Sequence, residues 1–140
     1  MTRSGSAVWR GGLKDGGGTV STESGTLKDK PYTFAARFES GQGTNPEELI
    51  GAAHAGCYSM ALSGVLAESS MTAEAIETKA TVTLEKRDAG FTVTAVHLDV
   101  AATIPGANAA AFQAAAEKAK AGCPISRLLN ATITMDAALR

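Results

Sequence analysis

The chain has 140 residues, of which 44% are hydrophobic and 19% are charged, and its formal net charge is −1. This length and composition suit one domain with a buried core, so we expect a single domain over residues 1–140. No run of lysine and arginine marks a nucleic-acid surface. The first residues, MTRSGSAVWRGG, lack the apolar segment of a signal peptide. We therefore expect a cytoplasmic protein with no nucleic-acid partner.

Three short strands are predicted within the first 39 residues. Residues 6–10 and 18–24 alternate like strands, and the glycine-rich segment between them predicts a turn. Residues 31–39, PYTFAARFE, are predicted as a third strand, in which alternation places Arg37 on the face opposite Phe34 and Phe38. Together the three strands predict an antiparallel meander with one buried face.

A long apolar helix is predicted from Pro46 to about Ala67. Asn45 suits the N-cap and Pro46 suits the first helical position, while Glu48 is placed to reach back to the cap as in a capping box. After Glu48 the segment is apolar on all sides, yet polar residues interrupt it and it is rich in Gly and Ala. This pattern favours a buried helix over a membrane span. One small domain has little room to bury such a helix, so we expect a partner subunit.

Two long strands joined by a hairpin are predicted after this helix. Residues 76–86 and 91–103 each begin with alternating apolar and polar residues, which is typical of half-buried strands. The intervening segment 88–90, Asp-Ala-Gly, is a hairpin signal in which Gly90 can adopt positive φ.

A second helix and a final strand complete the predicted order. Asn108 is predicted to cap a helix that Gly122 closes as a C-terminal glycine. Cys123 and the proline after it are predicted to start a short helical turn, and residues 131–139 to form the last strand. The order βββ-α-ββ-α-β predicts an α+β fold with antiparallel sheets and segregated helices.

The candidates for chemistry are two cysteines, Cys57 and Cys123, which are 66 positions apart. No CxxC pair or Cys/His cluster with zinc-finger spacing is present, so we predict no metal site. Structural disulfides are rare in cytoplasmic proteins, and composition alone therefore favours two buried, inert thiols. His54 lies one helical turn before Cys57, and such a pair also suits a hydrolase. Both residues lie on one helix, however, and no orienting Asn or Asp is evident.

Several long segments resemble the OsmC/Ohr family of bacterial proteins, which comprises osmotically inducible protein C and the organic hydroperoxide resistance proteins. The strongest are GTNPEELIGAAHAGCYSMALS at 43–63 and KAKAGCPISRLL at 118–129. GTVSTESG at 18–25, YTFAARFE at 32–39 and KRDAGF at 86–91 resemble the OsmC branch. The resemblance implies an OsmC-like fold with two main helices, the central one buried at the interface of an intertwined homodimer.

The resemblance also implies a thiol-dependent peroxidase that serves oxidative and osmotic stress defence and prefers organic hydroperoxides to hydrogen peroxide. Cys57 is the implied peroxidatic thiol, Cys123 the resolving thiol and Glu47 the active-site glutamate. No metal, haem or flavin is implied. The implied reductant is an external dithiol such as a protein-bound dihydrolipoyl group.

The active-site arginine of the family has more than one counterpart here. In the Ohr branch it lies in the loop after the first strand, which aligns it with Leu13 in this chain. In the OsmC branch the arginine of the third predicted strand takes its place, which indicates Arg37. Arg10 is the remaining alternative.

The spacing of Glu47 and Cys57 adds a geometric condition. They are ten residues apart, which is about 15 Å of rise along a straight helix. Either the helix breaks, for example at Gly51 or Gly56, or Glu47 serves Cys57 of the other subunit. We expect the second arrangement, because the apolar helix needs a partner.

The sequence is compatible with two classes of function. One is the two-cysteine peroxidase with composite sites in a homodimer. The other is a non-catalytic stress or binding protein of the same fold, whose thiols are inert. The joint presence of the two cysteines with Arg37 and Glu47 favours the peroxidase.

Overall fold

The computed structural model describes all 140 residues, and the chain forms two compact units, residues 1–49 and 50–140. The first unit contains β1 (Gly5–Arg10), β2 (Gly17–Thr22), β3 (Lys30–Tyr32) and α1 (Phe34–Phe38). Helix α2 (Pro46–Glu68) begins in the first unit and continues in the second. The second unit also contains β4 (Ala75–Arg87), β5 (Gly90–Thr103), α3 (Ala109–Gly122), α4 (Pro124–Leu128) and β6 (Thr132–Leu139). This content confirms the α+β class, while a single domain stays a prediction.

The first sheet is the predicted antiparallel meander, in the order β1-β2-β3. The third strand is shorter than predicted, because it ends at Tyr32 and the next residues form α1. Thr33 caps this helix, and its hydroxyl oxygen accepts a hydrogen bond from the backbone N–H of Ala36 at 3.0 Å. Phe34 and Phe38 are therefore neighbours on one helix face, with ring centroids 4.8 Å apart.

The placement of Arg37 opposite the two aromatic rings is consequently wrong. A strand would have separated Arg37 from Phe38, because successive side chains of a strand point to opposite faces. In α1 the guanidinium carbon of Arg37 lies 5.2 Å from the centre of the Phe38 ring. This is within the range of a cation–π contact.

The start of α2 is capped as predicted by Asn45, whose side-chain oxygen accepts the backbone N–H of Glu48 at 2.8 Å. The predicted reciprocal bond of a capping box is not formed. The carboxylate of Glu48 instead accepts a hydrogen bond from the hydroxyl of Thr44 at 2.5 Å. The amide of Asn45 also donates to the carbonyl of Ala36 at 3.3 Å, so this one side chain joins the start of α2 to α1.

Helix α2 runs without a break, so the interruption considered at Gly51 or Gly56 does not occur. Its buried residues recur every three or four positions and form one face: Gly51, His54, Tyr58, Leu62 and Leu66. The other faces are also apolar but are largely accessible in the single chain, and Met60 is 78% exposed. By length and composition α2 could cross a membrane, a test that core helices of soluble proteins also pass.

The second sheet has the order β4-β5-β6 and is mixed. β4 and β5 form the predicted antiparallel hairpin, in which Gly90 has a φ of +115°. β6 pairs with β5 in parallel, so the prediction of purely antiparallel sheets is wrong for this pair. The connection from β5 to β6 passes through α3 and α4, and a helical crossover returns the chain in its original direction.

The core of the second unit lies between this sheet and helices α2 and α3. The side chains that fill it are fully or almost fully buried, and they comprise Tyr58, Leu62 and Leu66 of α2, Val96, Leu98, Val100 and Ala102 of β5, and Phe112, Ala115, Ala116 and Ala119 of α3. Helix α3 is rich in alanine, which allows a close approach to its neighbours and leaves the aromatic ring of Phe112 as its largest buried group.

Helix α3 begins and ends as predicted. The side-chain oxygen of Asn108 accepts the backbone N–H of Ala111 at 3.0 Å. Gly122 is the last residue of the helix, and Cys123 follows with a φ of −55° and a ψ of 125°. Pro124 explains this ending, because a proline pushes the preceding residue into an extended conformation and no left-handed glycine is then needed.

We expect Asn45→Ala to lower the free energy of unfolding by about 1 to 2 kcal/mol, because it removes both the cap and the bond to Ala36. Asn45→Asp should lower the free energy of unfolding by less, since a carboxylate still caps the helix but cannot donate to the carbonyl of Ala36. Urea denaturation at one fixed protein concentration measures both losses. The exposed Asn130 supplies the control, and Asn130→Ala should change stability by less than about 0.5 kcal/mol. Equal losses for the two Asn45 variants would contradict the capping role.

Candidate active site

The four residues predicted for the site form two pairs, one in each compact unit. Arg37 and Glu47 lie together in residues 1–49, and Cys57 and Cys123 lie together in residues 50–140. Each pair joins residues from different elements, so each depends on tertiary packing and not on a local motif.

The first pair is a bidentate ion pair. Nε of Arg37 donates to both carboxylate oxygens of Glu47 at 3.2 Å, and Nη2 donates to Oε1 at 2.7 Å. The last turn of α1 presents the arginine and the first turn of α2 presents the glutamate. The Glu47 side chain is only 14% exposed, whereas that of Arg37 is 37% exposed. The carboxylate therefore fixes the orientation of a guanidinium that remains accessible.

An apolar cavity of about 270 Å³ adjoins this arginine. Its lining contains aromatic rings, one aliphatic side chain and a single charged group, and comprises Trp9, Leu13, Tyr32, Thr33, Phe34, Arg37 and Phe38. The rings of Trp9 and Tyr32 pack at a tilt with centroids 5.2 Å apart. Arg10, the alternative arginine, is exposed and is not part of this lining. A cavity of this kind can hold an alkyl or aryl group beside a cation.

The second pair consists of two free thiols in contact. Sγ of Cys57 and Sγ of Cys123 are 2.9 Å apart, although the residues are 66 positions apart in sequence. Cys57 lies within α2 and is partly buried, whereas Cys123 is fully buried at the junction of α3 and α4. The two residues meet because α2 and α3 pack against the same core.

The surroundings of Cys57 within its own unit disfavour the thiolate. Burial raises the pKa of the Cys57 thiol, and the hydrogen bond and charge interaction with Cys123 raise it further. A hydrogen bond with the backbone of Ile125 acts in the opposite direction. Because the thiolate is the reactive form, a positive charge near the sulfur would favour a reactive Cys57.

His54 is fully buried one turn before Cys57, and its hydrogen bond is with a residue other than Cys57. Its Nε2 lies 2.7 Å from Oγ of Ser126 in α4, while its Nδ1 has no hydrogen-bond partner. Burial lowers the pKa of the ring, so the imidazole is neutral at neutral pH. The sequence pattern indicated His54 only as the partner of Cys57 in a hydrolase pair and did not identify Ser126. The position of Ser126 three residues after Cys123 was the available signal.

A third group contains side chains of the kind that hold metal ions. Nε2 of His97 is 3.4 Å from a carboxylate oxygen of Asp99 and 3.2 Å from one of Asp136, and its Nδ1 is 2.7 Å from the hydroxyl of Thr134. These residues alternate with the core residues of β5 and β6, so they lie on the opposite face of the second sheet from Cys123. The group therefore lies away from the two sulfur atoms.

Comparison with known proteins agrees with this architecture. The sequence profile described as OsmC-like protein matches residues 39–138. Peroxiredoxin OsmC of Escherichia coli (strain K12) is 53% identical over 138 residues, which cover 99% of this chain and 96% of the relative. Peroxiredoxin OsmC of Shigella flexneri matches to the same extent.

Solved structures confirm the expected OsmC-like fold. The organic hydroperoxide resistance protein OhrB of Bacillus subtilis superimposes with a TM-score of 0.70 at 24% identity, and the match covers 96% of this chain and 97% of that one. An OsmC-like protein of unknown function from Vibrio cholerae gives a TM-score of 0.77 at 15% identity, with 98% and 99% covered. At these identities the two structures are evidence for the fold alone. The profile and the relatives go further, and the chain belongs to the family of OsmC-like proteins.

Proposed function

We propose that the protein is a thiol-dependent peroxidase that reduces organic hydroperoxides to alcohols in oxidative and osmotic stress defence in the cytoplasm. The observation that carries the proposal is the 2.9 Å contact between the free thiols of Cys57 and Cys123. Two thiols in contact can take up the two oxidising equivalents of one peroxide and close a disulfide without a large movement. The 53% identity to Peroxiredoxin OsmC of Escherichia coli supports this activity.

In the first step the thiolate of Cys57 attacks one oxygen of the hydroperoxide. The O–O bond breaks, the alkoxide takes a proton and leaves as the alcohol, and Cys57 becomes a sulfenic acid. The thiolate of Cys123 then attacks the sulfur of that sulfenic acid, which forms the Cys57–Cys123 disulfide and releases water. An external dithiol, such as a dihydrolipoyl group, reduces the disulfide by exchange and is itself oxidised. The cycle requires no metal or organic cofactor bound to the protein.

Arg37 and Glu47 are assigned to the activation of the thiolate. The surroundings of Cys57 raise its pKa, so the reaction needs a cation that offsets burial. The guanidinium of Arg37, held by the bidentate bonds to Glu47, is an oriented and accessible cation. In the proposed homodimer, the Arg37–Glu47 pair of one subunit serves Cys57 of the other. The exposed apolar faces of α2 supply a surface for this association.

The apolar cavity beside Arg37 accounts for a preference for organic hydroperoxides. In the proposed composite site, its aromatic lining would hold the alkyl or aryl group of the substrate. Each buried methylene contributes roughly 0.8 kcal/mol to binding, a gain that hydrogen peroxide cannot obtain. The competing function is a non-catalytic stress or binding protein whose thiols stay inert, and thiol chemistry separates the two.

We expect one equivalent of cumene hydroperoxide to consume both thiols of the reduced protein and to form the intrachain Cys57–Cys123 disulfide. Thiol titration and peptide mass spectrometry measure the two changes, and hydrogen peroxide should react more slowly at the same concentration. Cys57→Ser should abolish turnover. Cys123→Ser should accumulate a sulfenic acid that excess peroxide oxidises further.

Two results would contradict this assignment in different ways. Full peroxidase activity of Cys57→Ser would show that another group reacts with the peroxide. An unchanged thiol count in the wild-type protein would favour the non-catalytic function instead.

We expect Arg37→Gln to raise the pH at which Cys57 becomes half-reactive by one unit or more. Thiolate is present above the thiol pKa, so a higher pKa leaves less thiolate at pH 7, and one unit lowers the reaction rate about tenfold. The rate of alkylation by iodoacetamide between about pH 5 and pH 10, in the Cys123→Ser background, reports Cys57 alone. Glu47→Gln should give a smaller shift, because the guanidinium remains but loses its fixed orientation.

Arg10→Gln is the matched control for this experiment. Arg10 is exposed and lies outside the Arg37–Glu47 pair, so its substitution should leave the alkylation profile in place. A shift in Arg10→Gln with none in Arg37→Gln would transfer the thiolate-stabilising role to Arg10.

A further inference from the structure

Two side-chain contacts join helix α2 to α4 and to Cys123, the residue that precedes α4. Cys57 and Cys123 form one contact, and His54 and Ser126 form the other at 2.7 Å. Each member of the second contact is three residues from a cysteine, His54 before Cys57 and Ser126 after Cys123. The His54–Ser126 contact is therefore about one helical turn from the sulfur pair, both along α2 and along α4.

The direction of this hydrogen bond depends on the tautomer of the imidazole. His54 is fully buried and neutral, so one of its two ring nitrogens carries the proton. We assign the proton to Nε2, so that the ring donates to Oγ of Ser126.

Helix α4 is short and incompletely buried. The helix has five residues, none of them buried, and Leu128 is 74% exposed. Ile125 and Leu129 are only partly buried against the core. A helix this short is not stable by itself, so its position depends on tertiary contacts. The bond between His54 and Ser126 ties the side chains of α2 and α4 together, beside the hydrogen bond of Cys57 with the backbone of Ile125.

We propose that His54 is a positioning residue for the disulfide-forming step. By donating to Ser126 it holds α4 against α2, and thereby holds the Cys123 sulfur beside Cys57. This inference rests on the proposed function. It assigns His54 no proton transfer and no contact with the peroxide.

The positioning of Cys123 affects the competition between two reactions of the Cys57 sulfenic acid. The Cys57 sulfenic acid either is attacked by the Cys123 thiolate, which forms the disulfide and releases water, or reacts with a second hydroperoxide. The second reaction gives a sulfinic acid and another molecule of alcohol, and it is irreversible for most proteins. When α4 is released from α2, Cys123 spends less time next to Cys57. A larger fraction of the sulfenic acid is then oxidised to the sulfinic acid.

His54→Leu and Ser126→Ala both remove the hydrogen bond and provide the test. We expect the cumene hydroperoxide concentration that gives half conversion to sulfinic acid to fall about fivefold in each, the factor that corresponds to one net hydrogen bond. Intact-protein mass spectrometry distinguishes the sulfinic acid from the disulfide. The rate of sulfenic acid formation at Cys57, measured in the Cys123→Ser background, should not change.

Conservative variants separate positioning from acid–base chemistry. His54→Gln keeps an N–H donor near the position of Nε2, and Ser126→Thr keeps the hydroxyl. In both variants the sulfinic acid threshold, the cumene hydroperoxide concentration that gives half conversion, should therefore be close to that of the wild type. The double variant should be no worse than either single variant, because both remove the same bond. Ser59→Ala is the control, since Ser59 lies on α2 but bonds to Thr78 at 2.8 Å. Failure of His54→Gln alone to restore the threshold would overturn positioning in favour of proton transfer.

A second measurement is independent of peroxidase activity. In glutathione redox buffers, the equilibrium constant for closing the Cys57–Cys123 disulfide should fall about fivefold in Ser126→Ala, because the reduced state gains the freedom of α4. This result is expected even if the protein does not reduce hydroperoxides, so failure of the proposed function would be recognised separately. Ser126→Ala removes one oxygen atom from a half-buried site, so it also serves if His54→Leu does not fold. An unchanged equilibrium and an unchanged sulfinic acid threshold in Ser126→Ala would overturn the proposal.

Discussion

Helix α2 is apolar on every face, and a single chain buries only one of them. The buried face, from Gly51 to Leu66, packs against the second sheet and α3 and thereby fixes the core of the larger unit. Cys57 is partly buried beside that core, close enough to contact the buried sulfur of Cys123 and yet partly open. A second subunit on the exposed apolar faces would therefore cover the helix and complete the surroundings of the thiol in one step. In the proposed homodimer, burial of α2 would thus govern both stability and chemistry.

Local signals in the sequence were sufficient wherever the structure depends on a few neighbouring residues. The caps formed by Asn45 and Asn108 and the positive φ of Gly90 are examples, because each follows from backbone groups within four positions. The segment FAARF was ambiguous for the opposite reason. It is too short to distinguish a period of two from a period of about four, and the Thr33 cap that decides the matter was not recognised.

Features that depend on the path of the chain could not be predicted from residue patterns. The alternation in β6 is the same for a parallel and an antiparallel strand, so only the crossover through α3 and α4 sets its direction. The contact between Cys57 and Cys123 requires that two distant helices pack on one core, and only the family resemblance paired these residues. The His54–Ser126 bond was not predicted, since its only signal in the sequence is that each residue lies three positions from a cysteine. Tertiary packing, not local propensity, built each of these features.

The two contacts between α2 and α4 differ in what the proposed cycle does to them. The sulfur pair changes from two thiols to a covalent bond and back, so it cannot by itself keep α4 in place throughout. The His54–Ser126 bond involves a neutral imidazole and a hydroxyl, and neither reacts with peroxide or dithiol in this scheme. A contact that is chemically unchanged in both redox states can preserve the geometry that the reacting pair needs on each turnover. Under this proposal, the polar His54–Ser126 pair has a function in an otherwise apolar interior.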